Sequence, residues 1–415
     1  MGAVSATAPR VLLQWPLSLT TWTLHVAERP YMRTGGSPSM NTDNNNSAGE
    51  SSIRVPMDTL VQFTHGVFRS VGLTDADSSL AATLLVEADL CGVHSHGVSR
   101  LAVYLDCFRR RVLNAVPKIT VSPCGPSVAT IDGDNALGLL VAKQGMDYAV
   151  QIAKTTGVGV VLARRSSHFG MAATYVRTAT DQGLAAIVGS NAPPVMVPWN
   201  GVTAKLGTNP IAGGVPGTTE NGPFVFDMAT SVVARGWITL AARNGSSIPD
   251  GWAIDCTGRP TTDPKAALAG SVLPFAGAKG FALAAFVDLL AGVMSGASYA
   301  ENVGSVFNKH NLPVNIGHFF IAIDVARFLS PEQYTLRYNE FVRSLKSASA
   351  SEVQSVRMPG DRALATKIDH LQFGIPLSAS IMADLSDVAA KCGLDLDVRT
   401  SKPKSEANGC DARTD

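Results

Sequence analysis

Apolar residues recur at helical spacing in the first orderly stretch of the chain. In "MDTLVQFTHGVFRSVGL", Leu60, Phe63, Val67 and Val71 fall on one face, and the run stops at Gly72. A second helical pattern, "TDADSSLAATLLVEADLCGV", opens on aspartates that suit a helix start. A third, "SRLAVYLDCFRRRVL", puts Leu101, Tyr104, Leu105 and Phe108 on one side and arginines on another. After Pro117 the pattern changes. "KITVSPCGPSVATIDGDNALG" breaks into short β-like runs between Gly, Pro and Asp turns. Helix "LLVAKQGMDYAVQIAKTTG", strand "VGVVLA", helix "AATYVRTATDQGL" and strand "AAIVGSN" follow, and "FFIAIDV" near 319 to 325 reads as a late strand. "SPEQYTLRYNEFVRSLKSA" and "SASIMADLSDVAAKCGL" are helical again. Alternating strands and helices predict an α/β layered domain. The plan is a helical unit from both chain ends, residues 54–125 and 326–398, flanking an α/β domain over 126–325.

Residues 1–53 differ. "TGGSPSMNTDNNNSAGESS" is too polar to bury surface, so this extension and the tail at 399–415 are expected to be disordered. Met40 and Met57 are candidate downstream starts. The stretch before Glu28 lacks acidic residues but holds only Arg10 as a base, which suits a mitochondrial signal poorly. The expected compartment is the cytoplasm.

Composition narrows the class. Hydrophobic residues make up 46% and charged residues 16%, which suits a large core. Thirty-four basic against 33 acidic residues leave +1, so neither nucleic acid nor a membrane is an expected partner. Cys91, Cys107, Cys124, Cys256, Cys392 and Cys410 form no CxxC pair, which fits a reducing compartment. The most apolar segment, "FALAAFVDLLAGVMSGASY" at 281–299, holds Asp288 and two glycines and reads as a buried helix.

Four stretches carry candidate chemistry. In "GVHSHGVSR", Ser95 and His96 stand at an expected helix start, with Arg100 and Tyr104 one and two turns after His96. Imidazole, guanidinium and phenol on one face describe a pocket for a small carboxylate, which the planar arginine fork can grip with two hydrogen bonds. The competing readings are surface polar residues behind a capping serine, or a metal site at His94 and His96. In "RRSSHFGMAATY", His168 lies between a strand and a helix start, where α/β proteins bind ligands and where a histidine can pass a proton. It can equally be a histidine that finishes a strand. "FVFDMATS" delivers Asp227 to a strand end, as a ribose or imidazole partner or an N-cap, with Thr230 or Ser231 capping a following helix. "GAKGFALAAFVDLLAG" puts Gly277, Lys279 and Gly280 before an apolar helix, an expected anion site for a phosphate or pyrophosphate. No GxGxxG follows a strand, so the usual dinucleotide fingerprint is absent.

Together "GVHSHGVSRLAVYL", "SSHFGMAATY", "PPVMVPWNG", "LGTNPIA", "FVFDMATS", "IPDGWAIDCTGRPTTDP" and "LPFAGAKGFALAAFVDLLAGVMSGA" resemble the malate/L-lactate dehydrogenase family of non-Rossmann NAD(P)-dependent oxidoreductases. That family includes sulfolactate and ureidoglycolate dehydrogenases, diketogulonate reductase and cyclic imino acid reductases. The resemblance runs from about Val55 to Leu394. It implies a largely antiparallel seven-stranded sheet that binds NAD or NADP, in a homodimer with active sites near the interface. It implies His168 as proton donor and acceptor, Ser95 and His96 beside the substrate, and Arg100 and Tyr104 as substrate contacts. Asp227 joins the catalytic set. Phe169, Gly170, Thr208, Asn209, Met228, Ala229, Lys279, Gly317, His318 and Phe319 match cofactor-contacting positions. Trp237 departs from the pattern, since relatives often carry Lys or Glu there.

The expected function is hydride transfer between nicotinamide and a small 2-hydroxy or 2-oxo acid, with a cyclic 2-imino acid as the alternative substrate. A metal-dependent hydrolase using His94, His96 and His168 is a rival from another enzyme class. A cofactor-binding protein without turnover is the rival outside catalysis.

Overall fold

The computed structural model describes residues 52–307, 311–349 and 355–396. The expectations for the N-terminal extension and for the C-terminal tail fall outside those residues.

The chain begins with β1 (Ile53–Val55) and the helices α1 (Met57–Ser70), α2 (Asp75–Leu90) and α3 (Leu101–Arg109). Helix α2 starts where the Thr74 side chain accepts the Asp77 amide, with Asp75 and Asp77 in the first turn facing the positive helix end. Then come β2 (Thr120–Gly125), β3 (Val128–Asp132), α4 (Gly138–Thr156), β4 (Val158–Ser166), α5 (Ala173–Thr180), β5 (Leu184–Ser190), β6 (Ile211–Val215) and β7 (Phe224–Met228). A smaller lobe follows: α6 (Arg235–Asn244), β8 (Ala253–Ile254), β9 (Pro260–Thr261), α7 (Pro264–Ala269), β10 (Ser271–Val272) and α8 (Ala278–Asp288). The chain returns through β11 (Ile316–Asp324) and closes with α9 (Pro331–Lys346), α10 (Asp361–Phe373), β12 (Ile375–Leu377) and α11 (Ala379–Cys392).

The main sheet has seven strands in the order β2-β3-β4-β11-β5-β6-β7. Only β3 and β4 pair in parallel; the other five pairings are antiparallel. Strand β11 inserts between β4 and β5, and its sequence IGHFFIAID is apolar almost throughout because both faces are covered. Neighbouring residues show this. Phe320 meets α4 at Gly145, while Phe319 packs with Val287 and Ala291 from the opposite side. Helices α4 and α5 therefore line one face of the sheet, and α8 with its continuation lines the other. Helix α2 packs on α4 and α5 with α10 beside it, α11 packs on α1 and α3, and β1 pairs with β12.

Three local expectations are corrected. The apolar segment 281–299 is not a buried helix. It is α8 followed by a π-helical turn, Leu289–Met294, whose outer face leaves Phe286 52%, Leu289 51%, Val293 49% and Met294 62% exposed. No helix starts at Thr230 or Ser231. Thr230 turns its hydroxyl to the Thr208 and Asn209 carbonyls, and the next helix begins at Arg235. The His96, Arg100 and Tyr104 run is not one helix but two short 3-10 turns, His94–His96 and Val98–Arg100, ahead of α3. Among the described residues no helix is long and apolar enough to cross a membrane.

Candidate active site

His168 lies two residues beyond β4 in the loop that enters α5. Its Nδ1 lies 2.6 Å from the Tyr104 hydroxyl and 3.3 Å from the Gly170 amide, which donates to it. Gly170 has φ +75° and lies where a Cβ would come within 2.8 Å of Leu139, so this turn requires glycine. Phe169 stacks on His318 at 4.7 Å, and the Tyr175 hydroxyl donates to the Phe169 carbonyl. His318 is wholly buried between the hydroxyls of Ser190 (2.9 Å) and Ser166 (2.7 Å). Burial pushes its imidazole down to about 3, so it is a neutral strut beneath the His168 loop.

Asp227, at the end of β7, accepts the Ala173 amide at 2.8 Å. It therefore caps α5 from another strand, and it does not contact an imidazole. Although part of the residue faces solvent, desolvation lifts its carboxyl above the usual range while the Ala173 amide opposes the rise.

The second motif is held by a residue that sequence reasoning missed. Asp89 is wholly buried on α2. Its carboxylate accepts the Val98 amide at 2.7 Å and pairs with His94 Nδ1 at 2.9 Å, while His370 Nδ1 donates to its carbonyl. Burial raises this carboxyl, and the His94 and Val98 contacts hold it down. A Cβ on Gly97 would fall 2.0 Å from the Asp89 oxygen, so only glycine permits the approach. An acid at an apolar helical position was the available signal. His94 pairs with Asp89, and its ring lies 6.0 Å from that of His370. Among the described residues no three His, Cys, Asp or Glu side chains group as they would to hold a metal.

The two motifs meet at their histidines. The rings of His96 and His168 stack at 5.5 Å, and Ser95 Oγ lies 2.9 Å from His96 Nδ1. Arg100 donates its Nε to the Ser95 carbonyl at 2.6 Å, and its guanidinium lies 5.1 Å from the Phe307 ring centre. Among the described residues no carboxylate pairs with Arg100 and neither terminal nitrogen has a partner. Burial, then His96 and Arg100, push His168 well below its ordinary value. Burial and Arg100 push His96 down to about 4. A half-buried guanidinium beside two neutral imidazoles is a site short of an anion. Tyr104, expected as a substrate contact, is 1% exposed and stands behind His168.

The other expected contacts divide by burial. Asn209 is buried, tying the Ala192 amide to the Ala284 carbonyl on α8. The Thr208 carbonyl takes both the amide and the hydroxyl of Thr230. Gly317 packs under the π-helical turn, and Phe319 lies in the core. Met228, Ala229 and Lys279 keep accessible surface. At the start of α8 the amides of Ala278, Lys279 and Gly280 and the Lys279 ammonium have no partner among the described residues. That donor set fits a dinucleotide diphosphate.

Residues 55–386 match the family model for malate/L-lactate dehydrogenase. The chain belongs to the malate/L-lactate dehydrogenase family. It is 37% identical over 355 residues to malate dehydrogenase from Pyrococcus horikoshii, covering 83% of this chain and 97% of that one. It is 37% identical to (2R)-3-sulfolactate dehydrogenase (NADP(+)) from Chromohalobacter salexigens, over 71% of this chain and 85% of that one. Ureidoglycolate dehydrogenase (NAD(+)) from Escherichia coli K12 is 34% identical, over 74% and 88%. Among solved structures, sulfolactate dehydrogenase from Methanocaldococcus jannaschii has a TM-score of 0.77 at 33% identity, over 83% of this chain and 98% of that one. Delta1-piperideine-2-carboxylate reductase from Pseudomonas syringae has a TM-score of 0.74 at 28% identity, over 81% and 99%. As a member of this family the protein is an oxidoreductase, with the seven-stranded α/β architecture of its structural neighbours.

Proposed function

We propose that this family member interconverts a small 2-hydroxy acid and its 2-oxo acid with NAD or NADP. The observation that carries the reading is the unpaired fork of Arg100 beside His168 and His96. Relatives named for both nicotinamide cofactors, and the unbonded donors at the start of α8, support the cofactor class.

When bound, the nicotinamide supplies or accepts hydride. The chain does the rest. Arg100 grips the substrate carboxylate through its two free terminal nitrogens, with Phe307 against its plane and Ser95 fixing its Nε. That grip orients the neighbouring carbonyl toward His168, whose Nε2 gives or takes the proton at the substrate oxygen. His96, stacked on His168, walls the same pocket. Asp227 and Asp89 hold the two loops in register.

The assembly we propose is a homodimer. Phe286, Leu289, Val293 and Met294 form an exposed apolar stripe, and Ile187 of the sheet is also 38% exposed. A second copy would cover that face.

Fluorescence titration with NADH and NADPH, then turnover of a panel of 2-oxo acids and a cyclic imino acid, tests the function. Saturable binding with turnover of an oxo acid is expected. Turnover of the cyclic imine alone would move the assignment to the imino acid reductase reading. Binding without any turnover would make the protein a cofactor binder.

A further inference from the structure

We propose that Tyr104 is a positioning residue that holds His168 in a single tautomer, with the ring proton on Nε2. The proposal rests on the reading of His168 as the acid–base group, and it replaces the substrate contact expected of Tyr104.

Two donors converge on one ring nitrogen. The Gly170 amide points at Nδ1 from 3.3 Å, and an amide N–H can only donate. The Tyr104 hydroxyl lies 2.6 Å from the same nitrogen, its one hydrogen-bond partner among the described residues. The amide contact is long and the Tyr104 proton has no other acceptor among the described residues, so it is chiefly Tyr104 that keeps a lone pair on Nδ1 and the proton of the neutral ring on Nε2. Burial raises the phenol of Tyr104 well above its usual range, so its hydroxyl keeps the proton it donates. Tyr104 is 1% exposed on α3 and meets His168 across the packing of two separate elements. That burial withholds its hydroxyl from any bound acid.

The consequence is a resting site with a donor aimed outward, matched to the carbonyl oxygen of an oxo acid. For turnover one proton from solvent first adds at Nδ1, and the imidazolium then gives its Nε2 proton to the substrate oxygen, which leaves a neutral ring protonated on Nδ1. The Tyr104 hydroxyl then turns and accepts from Nδ1–H, leaving Nε2 free to accept from the hydroxyl of the hydroxy acid. In the resting enzyme Tyr104 joins Gly170 in donating to Nδ1 and so holds the Nε2–H form, and only Tyr104 can reverse its bond for the transient Nδ1–H. The tautomer fixes which ligand the free enzyme meets with a complementary hydrogen bond.

Nitrogen-15 NMR of the full-length protein labelled at histidine tests this, with His168→Gln identifying the His168 signals. Wild type is expected to show a protonated Nε2 and a bare Nδ1. Tyr104→Phe should give a mixture of tautomers. It should also lower kcat by roughly ten- to hundredfold, less than the ~10²–10⁴-fold cost of losing an acid–base group, with KM and NAD(P)H affinity unchanged. A wild-type ring protonated on Nδ1 overturns the proposal, and that spectrum needs no variant to fold. A Tyr104→Phe enzyme with raised KM and intact kcat also overturns it, because the hydroxyl would then touch substrate. If no oxo acid is turned over at all, the functional reading fails while the spectrum still decides the tautomer.

Discussion

The carboxylate of Asp227 accepts the backbone amide of Ala173 at 2.8 Å, so the end of β7 caps the helix that the His168 loop enters. A carboxylate at a helix N-terminus satisfies an amide that has no partner within the helix and meets the positive end of its dipole. Replacing Asp227 with Ala should cost about 0.5–2 kcal/mol, the usual scale for a lost cap. It should lower kcat by loosening the loop, yet leave the pH dependence of kcat in place. Urea denaturation and a pH–rate profile check both. A displaced profile would mean that Asp227 acts on an imidazole after all.

Arg100→Lys should raise KM for the acid while NAD(P)H affinity stays unchanged. A lysine cannot make the paired contact, and losing a charge-assisted hydrogen bond costs about 1.5–3 kcal/mol, roughly ten- to hundredfold in KM. Steady-state kinetics with cofactor titration measures the split. An equal loss of cofactor affinity would reassign Arg100 to a cofactor phosphate.

His168→Ala should cut kcat by ~10²–10⁴-fold while leaving fold and cofactor binding intact. His96 is the competitor, since its ring stacks on that of His168. The variant that removes a titration from the kcat profile identifies the donor. Near-normal turnover in His168→Ala, with loss in His96→Ala, would give the proton to His96.

Acid should destabilise this fold through histidines that it keeps neutral. His96 and His318 are pushed down to about 4 and about 3, and His168 well below its ordinary value. Unfolded, each titrates near ~6.5. Between those values the unfolded chain binds more protons, so stability falls as pH drops from neutral toward 4 and gains nothing from these groups above 7. Each such histidine contributes a slope of about 1.4 kcal/mol per pH unit. Urea unfolding at several pH values should show the slope, and His318→Gln should reduce it. An unchanged slope in that variant would mean His318 is not held neutral.

Phe286→Glu should shift the protein from dimer to monomer in sedimentation velocity, because a charge placed in the apolar stripe cannot be buried against a second copy. A wild-type monomer at micromolar concentration would refute the proposed assembly.

Periodicity alone located most of the helices and the central strands, since the spacing of apolar residues reports which face is buried. It also presented both histidine motifs and Arg100, because a polar group beside a strand end or helix start stands out locally. Helix α10 and the small lobe over 231–276 escaped, the first behind a weak pattern and the second behind strands of two residues. Spacing does not say what a face is buried against. Only the tertiary structure decided that β11 lies between β4 and β5, that Asp89 holds Gly97, and that Asp227 reaches Ala173. It decided too that Tyr104 stands behind His168 and that α8 leaves half of itself uncovered. Those relationships join residues far apart in the chain, and packing sets them where local preference carries no record of the partner.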